Sequence, residues 1–119
     1  MRKEEAKFET RFFSEAGTKG KNNDYFGYIQ LDNYAIWVAA DGYDEEAGAD
    51  VAGKLAVSSA IEYFMLRPRF NPDVIKEIME YANLKVKEKQ EETEKYSLMH
   101  TSLLVVISNY NSFLYGNVG

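Results

Sequence analysis

The chain has 119 residues, 45% of them apolar and 14% aromatic, and a formal net charge of -5; that is enough apolar material for one folded domain, and the wrong charge for gripping nucleic-acid phosphates by counterion release. Cysteine is absent, which excludes a disulfide framework and any thiolate metal site, so a bound metal must be held by oxygen ligands or by His100, the single histidine. Residues Met1 to Lys7 carry both signs of charge and lead into no long apolar run; neither a signal peptide nor a spanning helix is predicted, no membrane or nucleic-acid partner is expected, and a cytoplasmic protein is.

In chain order, Phe8 to Ser14, Tyr25 to Leu31 and Tyr34 to Ala40 are rich in aromatic and β-branched residues, with turn formers at Gly17 to Asn23 and at Asp32-Asn33. They predict three strands. The third is apolar at every position from Ala35 to Ala40, which predicts a central strand covered on both faces. After the acidic turn Asp41 to Glu46, the residues Ala52, Leu55, Ala56, Ser59, Ala60, Tyr63 and Phe64 recur at helical spacing. Their small side chains predict a helix lying close on a flat surface. Arg67-Pro68-Arg69-Phe70 ends that helix, and Asn71-Pro72 supplies an N-cap and a proline at the first helical position of the next. The second stripe, Ile75, Ile78, Met79, Ala82 and Val86, fades into the charge run Lys87 to Lys95, read as a solvated surface that extends the helix or frays. Thr101 to Ser108 and Phe113 to Val118 then flank Asn109 to Ser112 as a hairpin. The predicted order is β-β-β-α-α-β-β, an α+β domain with two antiparallel helices on an antiparallel sheet.

Two segments carry candidate chemistry. In Val38-Ala39-Ala40-Asp41-Gly42 a carboxylate stands at the end of a buried strand. Asp41 and the carbonyl of Gly42 can offer hard oxygen ligands to magnesium or manganese, although Asp-Gly is equally an ordinary turn pair. The loop Gly17 to Asp24 brings Lys19, Lys21 and Asp24 to the mouth of another strand, as a phosphate-meeting loop or as a plain one.

Taken together and in order, these segments resemble the type 2C, metal-dependent protein phosphatases. Lys19-Gly20-Lys21-Asn22-Asn23-Asp24 is similar in spacing to the family's Arg-x-x-Asn-Glu-Asp, which precedes its second strand. Val38 to Gly42 followed by Ala47-Gly48 is similar to its Val-Ala-Asp-Gly block, glycine-rich turn and helix. Met99-His100-Thr101-Ser102 and Asn117-Val118-Gly119 are similar to its Met-Gly-Thr-Thr and Asn-Val-Gly-Asp-Ser-Arg.

The resemblance implies an antiparallel β-sandwich flanked by antiparallel helix pairs, of which residues 1–119 form the N-terminal half of a single domain, ending at Gly119 before the later metal-binding aspartates. It implies two divalent cations, Mn or Mg, with Asp41 bridging them and the Gly42 carbonyl binding one; Asp24 orients metal-bound water and Lys19 grips the substrate phosphate. The substrate implied is a phosphorylated Ser or Thr of a protein, in the bacterial signalling group that includes the stage II sporulation E-like enzymes. Lys19 departs from a bidentate guanidinium to a point charge, and Asn23 stands where an acidic or amide side chain of greater length is usual. Tyr43 to Glu46 replace the glycine-rich turn, and Tyr43 stands where some members have a general-acid histidine. His100, in place of the third motif's glycine, reads as structural or exposed. A catalytically inactive, phosphoprotein-binding relative is the alternative. Half a sandwich has an uncovered apolar sheet face, with Leu103 to Ile107 at its centre, so self-association or pairing with the missing C-terminal half is expected.

Overall fold

The computed structural model describes residues 24–42, 49–92 and 101–118. They form β1 (Asp24–Gln30), β2 (Ala35–Gly42), α1 (Ala49–Leu66), α2 (Pro72–Glu92), β3 (Thr101–Ser108) and β4 (Phe113–Val118). The strands make one antiparallel sheet in the order β1-β2-β3-β4, which puts the all-apolar β2 in the interior of the sheet as its sequence predicts. This is a small α+β domain. The predicted strand Phe8 to Ser14 lies outside the described residues. Among the described residues no helix is long and apolar enough to cross a membrane.

Strand period two sorts the sheet into two faces. One face carries the cross-strand rows Ile29-Ile36-Ile107-Leu114 and Gly27-Val38-Val105-Gly116. Ile36, Val38, Val105 and Ile107 are fully buried there beneath the helices. The second row ends in a glycine on each edge strand, for a steric reason. A β-carbon on Gly27 would stand 2.7 Å from Ile61 and 2.9 Å from Val57 of α1, and one on Gly116 would stand 2.6 Å from Ile75 of α2. Each helix therefore rides directly on an edge strand through a missing side chain.

The predicted stripe of α1 is the face that packs: Ala52, Ala56, Ser59, Ala60 and Phe64 are buried, with Leu55 and Tyr63 partly so. Phe64 meets the edge of Tyr34 at a centroid distance of 6.4 Å and 90°, and burying a side chain of that size contributes about 1.5–3 kcal/mol. In α2 the stripe Ile75, Ile78, Ala82 and Val86 is buried as predicted, joined by Val74. Asn71 caps the helix by accepting the Val74 amide at 2.9 Å. The charge run continues the helix to Glu92, decorated by Lys85–Glu88 and Lys89–Glu92 pairs.

The helix connection is tied by side chains. Arg69 donates to both carboxylate oxygens of Glu77 at 3.1 and 2.8 Å, and Tyr63 donates to the same carboxylate at 2.7 Å. The Arg69 hydrogen bonds, then that of Tyr63, hold the Glu77 carboxyl down at about 2. At the opposite end of the sheet from β1's start, Tyr110 takes a positive φ of 72° in the β3–β4 turn. Its hydroxyl donates to the Leu31 carbonyl at 2.6 Å, pinning the two strand turns together.

The other sheet face carries Phe26-Ala39-Leu104-Asn117 and Tyr28-Trp37-Val106-Tyr115. Here the expectation of cover on both faces is corrected: Leu104 is 42% exposed and Trp37, Ala39 and Val106 are half-buried. Both helices lie on the first face, so the described residues form two layers, and the continuous apolar runs of β2 and β3 have a second apolar face that these helices do not reach.

Candidate functional site

The end of the sheet where β2 departs and β3 arrives gathers the sequence's candidate residues. Asp41 and Gly42 are the last two residues of β2, still paired within the ladder rather than standing in a turn beyond it. Asp24, the first residue of β1, is the direct cross-strand partner of Asp41. On the other side Asp41 pairs with Ser102 and Gly42 with Thr101, the opening residues of β3. Asn117, one step along, pairs with Leu104 near the end of β4. Segments far apart in the chain thus converge because antiparallel pairing brings the beginning of one strand beside the end of the next.

A cleft of about 490 Å³ opens at this end, lined by Asp41, Ser102, Leu104, Tyr115 and Asn117 among others. Asp41 is exposed at its rim. Ser102 donates its hydroxyl to the Asp41 main-chain carbonyl at 3.3 Å, tying the two strand ends where the ladder finishes. Tyr25 and Tyr115 add aromatic walls that the motifs did not point to. Tyr115 was legible, since it lies two residues before Asn117 and so on the same face of β4.

No family model matches the chain, and no curated protein matches it either. The site therefore rests on its own chemistry. Lys19, Asn23, Tyr43 to Glu46 and His100 lie outside the described residues. The described donors suit a hard divalent cation in kind: a carboxylate on Asp41, a main-chain carbonyl at Gly42, a hydroxyl on Ser102 and an amide on Asn117. They fall short in number, since among the described residues no three His, Cys, Asp or Glu side chains cluster closely enough to hold a metal ion.

Two further grooves carry less chemistry. One of about 760 Å³ runs between α1 and β1, with Val57, Ile61, Met65 and Leu66 as its apolar floor. The other, about 680 Å³, runs between α2 and β4 past Ile75 and Met79. Neither contains a carboxylate that the sequence motifs single out, so the Asp41 cleft is the candidate site.

Proposed function

We propose that this chain is a phosphatase-like domain of the type 2C kind, which in the full-length protein hydrolyses phosphate monoesters on Ser or Thr of a phosphorylated protein. The observation that carries the reading is the pairing of Asp24 with Asp41 at the one sheet end where Ser102 and Asn117 also lie. Asp24, Asp41, Ser102 and Asn117, four of the residues that carry the resemblance in sequence, thereby lie at one end of the sheet, which supports the reading. In this reading Asp41 and the Gly42 carbonyl hold Mn or Mg, Asp24 orients water and Lys19 meets the phosphate. The cations' chemistry is to acidify bound water and to neutralise phosphate charge during in-line attack. The acidic balance of the chain and the stage II sporulation E-like resemblance fit a signalling phosphatase better than a nucleic-acid enzyme.

The test is a manganese titration of the chain followed by electron paramagnetic resonance, beside the Asp41→Asn and Asp24→Asn variants. Weak binding is expected, because a few oxygen donors leave a hard cation largely hydrated. Asp41→Asn is expected to weaken it by about tenfold or more, since even outer partners of metal ligands cost that much. Binding that is indifferent to both substitutions would overturn the reading. A second reading, an inactive relative that binds phosphoproteins, is favoured by Lys19 in place of a bidentate arginine. It predicts phosphopeptide binding that needs Lys19 and persists in Asp41→Asn.

A further inference from the structure

The seam between α1 and α2 holds two tyrosines in reciprocal contact, and we infer that they form an oxidative modification site, where a one-electron oxidant of the peroxide-derived radical class joins Tyr63 to Tyr81 as dityrosine. Tyr63, on α1, donates its hydroxyl to Glu77 of α2 at 2.7 Å, and Tyr81, on α2, donates back to Glu62 of α1 at 3.0 Å. The two rings meet with centroids 5.0 Å apart and planes tilted by 39°, a separation at which ring edges touch. Both side chains are partly exposed, which leaves them open to an oxidant arriving from solvent.

The surroundings suit each step of that chemistry. A phenol that loses an electron becomes a strong acid, and its proton needs an acceptor already within hydrogen-bond reach. Each tyrosine has one in the carboxylate of the opposite helix. The same carboxylates push both phenols above their ordinary pKa, Glu77 for Tyr63 and Glu62 for Tyr81, so both start neutral and lose proton and electron together. Lys85 stands 5.3 Å over the Tyr81 ring and Arg69 grips Glu77 beside Tyr63; like charge disfavours a ring cation and so favours the neutral phenoxyl radical. Two such radicals couple between ring carbons ortho to oxygen, and the hydrogens on those carbons move to the oxygens as the rings regain aromaticity. The sum is one C–C bond formed for two C–H bonds lost, with two protons passing to water and two electrons to two equivalents of oxidant. The bond staples α1 to α2 where hydrogen bonds and packing alone held them. This inference stands apart from the phosphatase reading, because none of its residues lines the Asp41 cleft.

The test uses photoexcited tris(bipyridine)ruthenium(II) with persulfate, a source of one-electron oxidant, on the dilute 119-residue chain. The blue emission of dityrosine is expected in a product that still runs as a monomer. Its tryptic digest is expected to join the peptide ending at Arg69 to the peptide ending at Lys85, at a mass two hydrogens below their sum. Tyr63→Phe and Tyr81→Phe are each expected to remove that joined peptide and most of the emission while circular dichroism stays native. Glu62→Gln keeps a hydrogen-bond acceptor without the base, and is expected to slow the reaction. In urea the joined peptide is expected to lose its predominance, since the fold no longer holds the rings together. An unchanged yield in Tyr81→Phe, a digest dominated by links from the more exposed Tyr28 or Tyr115, the same product in urea, or no dityrosine at all would each overturn the inference.

Discussion

Replacing Gly27 by alanine tests the contact on which the two layers depend. The added methyl would stand 2.7 Å from the Ile61 Cδ1 atom and 2.9 Å from the Val57 Cγ1 atom, whereas carbons in ordinary contact sit about 3.5–4.0 Å apart. Ile61 can swing its terminal methyl away. Val57 cannot, because a β-branched side chain on a helix has one strongly preferred rotamer. Helix α1 must therefore lift by about 1 Å along a packed seam, and forced overpacking of this kind costs roughly 1–3 kcal/mol. Against this, alanine restricts the unfolded chain more than glycine and returns about 0.4–1 kcal/mol. The net expectation is a loss of roughly 1–2 kcal/mol. Gly116→Ala should behave alike, with Ile75 as the stiff neighbour at 2.6 Å. The two sites are three strand spacings apart, roughly 14 Å, so the double variant should be additive to within about 0.5 kcal/mol. Urea unfolding followed by Trp37 fluorescence and far-ultraviolet circular dichroism, at one fixed chain concentration, should show each midpoint falling by about 1 M with the slope unchanged. An unchanged midpoint in either single variant would refute the claim that the helices ride on the edge strands through these glycines.

Glu77→Gln should alter the acid limb of stability: the native carboxyl titrates near 2 rather than 4.5, so its stabilising share is complete above about pH 5 and is lost as pH falls toward 2. Melting temperatures of wild type and variant should converge through that window, and parallel curves would contradict it. Tyr110→Phe removes the hydroxyl that donates to the Leu31 carbonyl and should cost about 1 kcal/mol by chemical denaturation; no loss would mean the two turns are not held through that bond. Assayed alone with manganese and an aryl phosphate, the chain should show trace hydrolysis at most. Robust turnover that vanishes in Asp41→Asn would mean that the described donors understate the site.

The helices were the most legible part of the fold because their packing is written in spacing. Small residues at Ala52, Ala56 and Ala60 announced a close approach to a flat surface, and these positions are buried. Asn71 and Pro72 marked the start of α2 by local chemistry alone, and the cap bond is there. What the sequence hid was the other half of each contact. Gly27 and Gly116 look like weak points in strands until the register shows them under Val57, Ile61 and Ile75. The continuous apolar run of β2 predicted two covered faces, yet hydrophobicity reports only that a face wants cover, not that the nearest helices supply it. At the candidate site, Asp41 and Gly42 were legible as a pair and Asp24 as a separate loop residue. Their adjacency follows from the register of the hairpin about the Asp32-Asn33 turn, which puts Asp24 opposite Asp41 once the two strands pair.

The strand order gives the chain an uneven division of labour during folding. β1 with β2, β3 with β4, and α1 with α2 are each neighbours in sequence and in space. Among the described strands the single distant pairing is β2 with β3, whose nearest partners, Gly42 and Thr101, are separated by roughly 60 residues. Closing so long a loop from a disordered chain costs roughly 4 kcal/mol in entropy beyond the fixed term. Most of the loop, however, is α1 and α2, and a helical hairpin carries the chain out and back with its ends already near each other. The helices thus shorten the search that precedes the join, before they bury a single sheet residue. Slow folding of this domain would then have one origin, the β2–β3 seam, and the two strand hairpins on either side of it would form on the faster timescale of local contacts.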